Sequence, residues 1–136
     1  MDYLAFLERE GLDLAIFKGP VLVFSSHGEG LRPLLEAVEK LAHEPGGYVV
    51  ADRVVGQAAA LLALMLEPSE VHALVMSSGA LSLLASRGVR AVARRVVEHI
   101  TSEGGKPCPF EQALRDVEEP EEAYRIVKEM LEGGGQ

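Results

Sequence analysis

The feature that most constrains the fold is the run YVVADRVVGQAAALLAL, residues 48–64. A short β-branched segment meets an acid–base pair, and nearly every later side chain in the run is apolar. A helix that is apolar on every side is stable only when other parts of the protein surround it. The run therefore predicts a helix over residues 52–66 that packs centrally against a sheet, with three alanines at 58–60 allowing close approach.

Short apolar runs on either side of this segment predict the strands of that sheet. Alternation and β-branched composition indicate strands at LDLAIF and VLVFSSH, which face each other across a Lys-Gly-Pro turn as a hairpin, and then at GGYVVA, VHALVMSS and VRAVA. In the hairpin we expect Leu12, Leu14 and Ile16 to point inward, and Asp13 and Ala15 to point outward.

Helical spacing of apolar residues predicts the remaining elements. These are helices at DYLAFLERE, LRPLLEAVEKLAH, SGALSLLASR, PFEQALRDV and PEEAYRIVKEMLE. The apolar pattern after Val89 fits a strand and a helix equally well, so we divide it into a strand followed by a helix near Arg94. The order of elements predicts one α/β domain over residues 1–131, with a mixed sheet that begins as an antiparallel hairpin, and a flexible tail at 132–136.

Charge and composition exclude several classes of function. The formal net charge is −8 and the isoelectric point is near 5.0, which argues against binding to nucleic acid or to an anionic membrane. No apolar run approaches the ~18 residues of a transmembrane helix, and the N-terminus lacks the basic region of a signal peptide. The single cysteine, Cys108, fits a reducing compartment, so we expect a cytoplasmic protein.

Three segments resemble a known family. VVADRVVGQAAALL, VHALVMSSGALSLLASRGVRA and CPFEQAL are similar to a prokaryotic, deaminase-related family described only as a domain of unknown function, DUF1893. The resemblance covers residues 4 to 116. It implies a cytidine-deaminase-like fold, which is a three-layer α/β/α sandwich, and it implies that subunits of this kind form dimers or larger homo-oligomers.

The zinc motifs of deaminases are missing from the positions where this resemblance places them. A zinc deaminase has His/Cys-x-Glu at the start of its second helix and Pro-Cys-x-x-Cys at the start of its third. We assign these positions to VADR and to SSGAL, which contain neither histidine nor cysteine. Cys108 lies too late in the chain to replace them, and the four histidines show no metal-binding spacing. We therefore expect no metal and no cofactor.

The resemblance implies a candidate ligand site where two helix openings meet at one edge of the sheet. Its predicted residues are Asp52, Arg53, Ser77, Ser78, Gly79 and Cys108. Free backbone N–H groups, hydroxyls and a guanidinium suit an anionic or amide-bearing small molecule, and the family suggests a nucleotide or nucleobase relative.

Simpler interpretations of the same residues stay open. Asp52 and Ser78 are each suited to capping a helix. Arg53 is suited to pairing with Asp52 or another acid, or to contacting a ligand.

Three functions follow from this sequence. The first is a deaminase-like protein without zinc that binds a small ligand. The second is an enzyme with different chemistry, in which Cys108 is the nucleophile or Asp52 is the general acid–base. The third is a subunit of an assembly that has no pocket chemistry.

Overall fold

The computed structural model describes residues 1–133, which form a five-stranded sheet and six α-helices. In chain order the elements are α1 (Tyr3–Glu10), β1 (Leu14–Lys18), β2 (Val21–Ser26), α2 (Arg32–Leu41), β3 (Val49–Val55), α3 (Gln57–Leu64), β4 (Glu70–Ser77), α4 (Ser78–Ser86), β5 (Arg90–Val97), α5 (Pro109–Ala113) and α6 (Pro120–Gly133).

The sheet is mixed, as predicted. Its strand order is β2-β1-β3-β4-β5, in which β1 is antiparallel to both β2 and β3, and β3, β4 and β5 are parallel. The parallel strands are connected through α3 and α4, because parallel neighbours need a crossover connection. The predicted hairpin and the mixed α/β class are therefore confirmed.

Helices cover both faces of the sheet. On one face α1 packs Leu4 and Leu7 against Ala15, Phe17 and Ala51. The opposite face carries the larger core, to which α2, α3, α4 and α6 contribute. Alternate residues of a strand point to opposite faces, so β1 is buried on both sides. The prediction that Ala15 points outward is wrong, because α1 covers that face.

The central position of α3 is confirmed. Its residues from Ala58 to Ala63 are at most 4% exposed, and the helix contacts α2, α4 and α6. The alanines leave room for these neighbours to approach closely, which gives van der Waals contact along the whole helix.

The predicted start of this helix is wrong. Strand β3 continues through Asp52 and Arg53 to Val55, and α3 begins only at Gln57. The reason is the ladder to β4, in which Val54 pairs with Val75 and then Val55 with Met76. This parallel pairing holds the β-branched residues in strand geometry, so Asp52 is a strand residue and not a helix cap.

The predicted division of the last strand is also wrong. Residues Arg90–Val97 form one continuous strand, and no helix begins at Arg94. Parallel pairing with β4 extends to Ser77 and Val97 at the end of the ladder. The apolar spacing allowed either structure, and the backbone hydrogen bonds to β4 select the strand.

The C-terminal part of the chain is helical further than predicted. Glu132 and Gly133, which we assigned to a tail, belong to α6. Residues 134–136, the rest of that predicted tail, lie outside the described residues. None of the helices in residues 1–133 is both long and apolar enough to cross a membrane.

Candidate functional site

Two neighbouring cavities lie where strands β2 to β5 end. All four strands run in the same direction, so the loops and helix starts that follow them meet at one edge of the sheet. This edge is where open α/β sheets commonly bind ligands.

The first cavity, called the Asp52 cavity below, has a volume of about 520 Å³. Asp52 and Arg53 from β3 line it together with residues 28–31 of the β2–α2 loop. The starts of α3 and α5 complete its wall through Ala58, Ala59, Pro109 and Phe110. Most of the wall contributed by these helix starts is therefore apolar.

The second cavity, called the Ser77 cavity below, has a volume of about 570 Å³. Ser77, Ser78 and Gly79 line it at the start of α4. Polar residues of α3, of the segment after β5, and of α5 and the chain that follows it also line this cavity. They are Gln57, His99, Thr101, Gln112 and Arg115. Several polar side chains therefore border this cavity, alongside Ile100 and Pro107.

The predicted single site is thus divided between two cavities. Asp52 and Arg53 line the first, whereas Ser77, Ser78 and Gly79 line the second. Cys108 borders both, as do Ile100 and Glu111. These three residues form the shared wall, and the structure brings the predicted residues to one edge of the sheet without placing them in one pocket.

Asp52 faces the side of the sheet that carries the larger core. It lies in register with Leu14 of β1 and Ala73 of β4, and both of these neighbours belong to the large core. Burial raises the pKa of the Asp52 carboxyl from 3.8 to about 7, the N–H groups of Arg53 and Val54 oppose this rise, and the charge of Asp13 adds to it. Near neutral pH the carboxyl is therefore present in both protonation states.

Arg53 binds an acid other than Asp52. Its Nε lies 3.0 Å from Asp13 Oδ1 and donates to the Leu12 carbonyl oxygen at 2.9 Å. Arg53 is the one cation among the residues that line the Asp52 cavity, which also include Asp13, Glu29 and Glu111. Because the wall is acidic overall, an anionic ligand fits this cavity less well than the sequence suggested.

Glu111 caps the start of α3. Its Oε1 accepts a hydrogen bond from the N–H of Gln57 and its Oε2 from the N–H of Ala58, both at 2.8 Å. Gly56 makes room for this contact, because a Cβ there would lie 2.6 Å from Glu111 Cδ and 2.9 Å from Ile100 Cγ1. The sequence analysis missed Glu111, since 54 residues separate it from the helix start that it caps.

Gln57 binds the chain just after α5. Its Nε2 donates toward the carbonyl oxygens of Leu114 and Val117, at 3.3 and 3.2 Å. Together with Glu111, these contacts hold the chain that follows β5 across the start of α3.

At the start of α4 the cap is Ser77, and the prediction of Ser78 is wrong. Ser77 is 4% exposed, and its Oγ accepts from the N–H of Ala80 at 3.1 Å. Ser78 is exposed, whereas Gly79 lies close to α3, since a Cβ there would be 3.6 Å from Gln57 Oε1. The starts of α3 and α4 are therefore adjacent.

Cys108 is half-buried at the N-cap position of α5 and makes no side-chain cap bond there. With five residues, α5 is too short to supply a substantial helix dipole. Among residues 1–133 there is no group of three or more His, Cys, Asp or Glu residues placed to hold a metal ion.

Comparison with known proteins identifies the family. The family model described as a domain of unknown function, DUF1893, matches residues 3–131. The crystal structure of the DUF1893 family protein TM1506 from Thermotoga maritima superposes with a TM-score of 0.83 at 32% sequence identity, over 92% of this chain and 84% of that chain. No curated protein matches. The chain belongs to the DUF1893 family.

Proposed function

We propose that this chain is a deaminase-like protein that binds a small molecule resembling a nucleobase or nucleoside in the Asp52 cavity. The ligand is neutral or cationic and offers N–H donors to Asp52. The same proposal places the protein in the cytoplasm, in keeping with its single cysteine.

The observation that supports this function is the position of Asp52. Asp52 is half-buried, lies in register between two core residues of the neighbouring strands, and lines a cavity. Apart from the N–H groups of Arg53 and Val54, the described residues give the Asp52 carboxyl no hydrogen-bonding or ion-pair partner. A carboxyl in a largely apolar environment is stabilised when a ligand completes its hydrogen bonds.

The protonation behaviour of Asp52 fits the edge of a heterocyclic base. A protonated carboxyl offers one donor and one acceptor side by side, and an ionised carboxyl offers two acceptors. An amide-like ring edge complements the first form, and an amino group next to a ring N–H complements the second. Because the pKa is raised to about 7, both forms are accessible near neutral pH.

The charges around the Asp52 cavity favour an uncharged nucleoside over a nucleotide. Arg53 is already paired with Asp13, and Glu111 accepts both N–H groups at the start of α3. Among the described residues, the cavity wall therefore has no unpaired cation for a phosphate group, and the N–H groups at the start of α3 are already bound. A nucleobase or nucleoside therefore suits the Asp52 cavity better than the nucleotide that the resemblance suggests.

The structure changes how the deaminase comparison applies to this chain. The second helix is α2, so the His/Cys-x-Glu position falls before Arg32, where the sequence reads His27-Gly28-Glu29. The third helix opens at Gly56 and Gln57, without cysteine. Asp52 and Arg53 lie in the strand between these two positions and replace neither motif. The His-x-Glu supports a deaminase-like ancestry, while the missing cysteines argue against zinc-dependent hydrolysis.

Calorimetric titration with a panel of nucleobases, nucleosides and nucleotides tests this function. We expect binding of an uncharged member, a loss of affinity of at least about tenfold in Asp52→Asn, and weaker binding of the corresponding nucleotide. Asp116→Asn is the matched control, because Asp116 is an exposed carboxylate outside both cavities. Absence of binding across the panel, or equal affinity in Asp52→Asn, would rule the proposal out.

A second candidate is an enzyme that uses Cys108 as a nucleophile, which its position beside both cavities favours. A reactive cysteine has a thiol pKa well below the ordinary value of about 8.5. The rate of alkylation by iodoacetamide as a function of pH measures that pKa directly. A value at or above the ordinary one would exclude this candidate and leave the ligand-binding function untouched.

A further inference from the structure

The two edges of the sheet expose different amounts of apolar side chain. On β2 three consecutive residues, Val21, Leu22 and Val23, are 57%, 40% and 37% exposed. They account for half of the six exposed large hydrophobic residues in the described chain. On β5 the one such residue is Val96. Exposed apolar surface is therefore concentrated on the β2 edge.

The two edges also differ in charge. Strand β5 carries Arg90, Arg94 and Arg95, whereas the sequence of β2, VLVFSS, contains no charged residue. Proteins commonly protect edge strands with charged side chains, which disfavour pairing with another strand. By charge β5 is protected and β2 is not, and the one irregularity of β2 is a register shift against β1 at Val23.

Only part of β2 is covered by the protein itself. Phe24 packs against the large core, and Lys40 Nζ lies 5.7 Å from the centre of its ring. Strand β1 pairs with one side of β2, and no other strand of residues 1–133 pairs with its outer side. The outer backbone groups and the side chains at 21–23 thus remain available to a partner.

We propose that β2 is the interface between two copies of this chain. Two β2 strands pair antiparallel about a two-fold axis and join two sheets into one of ten strands. Two copies with a net charge of −8 each repel one another, so they approach most easily along a strand that has no charge. An antiparallel pair of identical strands is self-complementary, which is the requirement for a two-fold interface.

The size of the patch sets the strength of this association. A pair of six-residue strands buries less surface than the roughly 1,200 Å² or more of a standard stable interface. We therefore expect a dimer that forms in the micromolar range and dissociates on dilution. This inference does not depend on the proposed ligand or on the Asp52 cavity.

Sedimentation velocity over a concentration series from about 1 µM to about 500 µM tests the interface. We expect the wild type to dimerise, and Val23→Lys to raise the dimer dissociation constant at least about tenfold. Val96→Lys is the matched control, since it adds the same charge at an exposed valine of the other edge. Each lysine changes the net charge from −8 to −7, so a loss of association cannot arise from overall repulsion.

Hydrogen exchange gives an independent measurement on the wild type. The outward-facing amides of β2 should exchange more slowly at high protein concentration, while those of β5 should not change. Val21→Glu serves as a second variant if Val23→Lys does not fold. A wild type that stays monomeric over the whole series would overturn the proposal, and so would a dimer that Val96→Lys weakens as much as Val23→Lys does.

Discussion

The Asp52 and Ser77 cavities are similar in size, at about 520 and 570 Å³, and they share a wall. Each borders the start of a helix, and in each case a side chain of the protein accepts from at least one N–H group at that start. Glu111 accepts from the N–H groups at the start of α3, and Ser77 accepts from an N–H at the start of α4. One difference between the cavities that bears on ligand chemistry is the carboxyl group of Asp52, which lines only the first.

Under the proposed function, Asp52 is the group that determines ligand chemistry. If the helix starts were free, both cavities would favour anions. With those N–H groups engaged, the Asp52 carboxyl would make its cavity favour a donor of hydrogen bonds, and Asp52 does not line the Ser77 cavity.

The largest effect is expected from Asp52→Asn, which should change how the free energy of unfolding depends on pH. The pKa of Asp52 is raised from 3.8 to about 7 in the folded protein. Between these values the unfolded chain has released the proton and the folded protein still holds it, so stability falls as pH rises through this window. At about 1.4 kcal/mol per pKa unit, the loss above pH 7 is at most about 4 kcal/mol.

Asparagine cannot ionise, so Asp52→Asn should be more stable than the wild type at about pH 8 and should approach it near pH 4. Urea unfolding at these two pH values measures the difference. Asp116→Asn should show no such dependence. A stability difference that is the same at both pH values would contradict the raised pKa.

Gly56→Ala should disturb the shared wall. The added Cβ would lie within 3 Å of Glu111 Cδ and Ile100 Cγ1, so the segment that carries Cys108 and Glu111 must move away from α3. We expect a loss of about 1–3 kcal/mol in the free energy of unfolding, together with faster alkylation of Cys108.

Gly79→Ala is the control for this variant. Its added Cβ meets only Gln57 Oε1, at an ordinary 3.6 Å, so stability should stay the same or rise slightly. If both alanine variants lost the same stability, the wall would not be the cause.

Glu111→Gln should weaken the same wall without adding bulk. A glutamine can accept at one oxygen, but its NH₂ group faces an N–H, so one of the two bonds to Gln57 and Ala58 is lost. We expect a cost of about 1–2 kcal/mol and faster hydrogen exchange at these two amides. The exposed Glu118→Gln should leave both measurements unchanged.

The smallest effect distinguishes the two serines of the Ser77 cavity. Ser77→Ala removes the cap of α4 and should cost about 1 kcal/mol, whereas Ser78→Ala should cost a few tenths of that at most. Thermal unfolding of the two variants measures this difference. Equal losses would mean that Ser77 does not act as the cap.

The position of the candidate site residues could be predicted from the sequence, but their division between two cavities could not. The chain order and the resemblance placed Asp52, Ser77 and Cys108 at one edge of the sheet, and the structure confirms that edge. The partner of Arg53 and the role of Glu111 could not be predicted. These contacts join residues that are about 40 and more than 50 positions apart, and no local pattern marks such pairs.

The sequence by itself determined the elements whose apolar pattern has one stable solution. An all-apolar α3 must be buried, and two alternating runs around a Gly-Pro turn must form a hairpin. At Asp52 the sequence predicted a helix, and after Val89 the pattern fitted either structure. In both places the pairing of β3 and β5 with β4 selected the strand. The physical reason is that apolar periodicity reports which side chains are buried, whereas the backbone partner is supplied by another part of the chain.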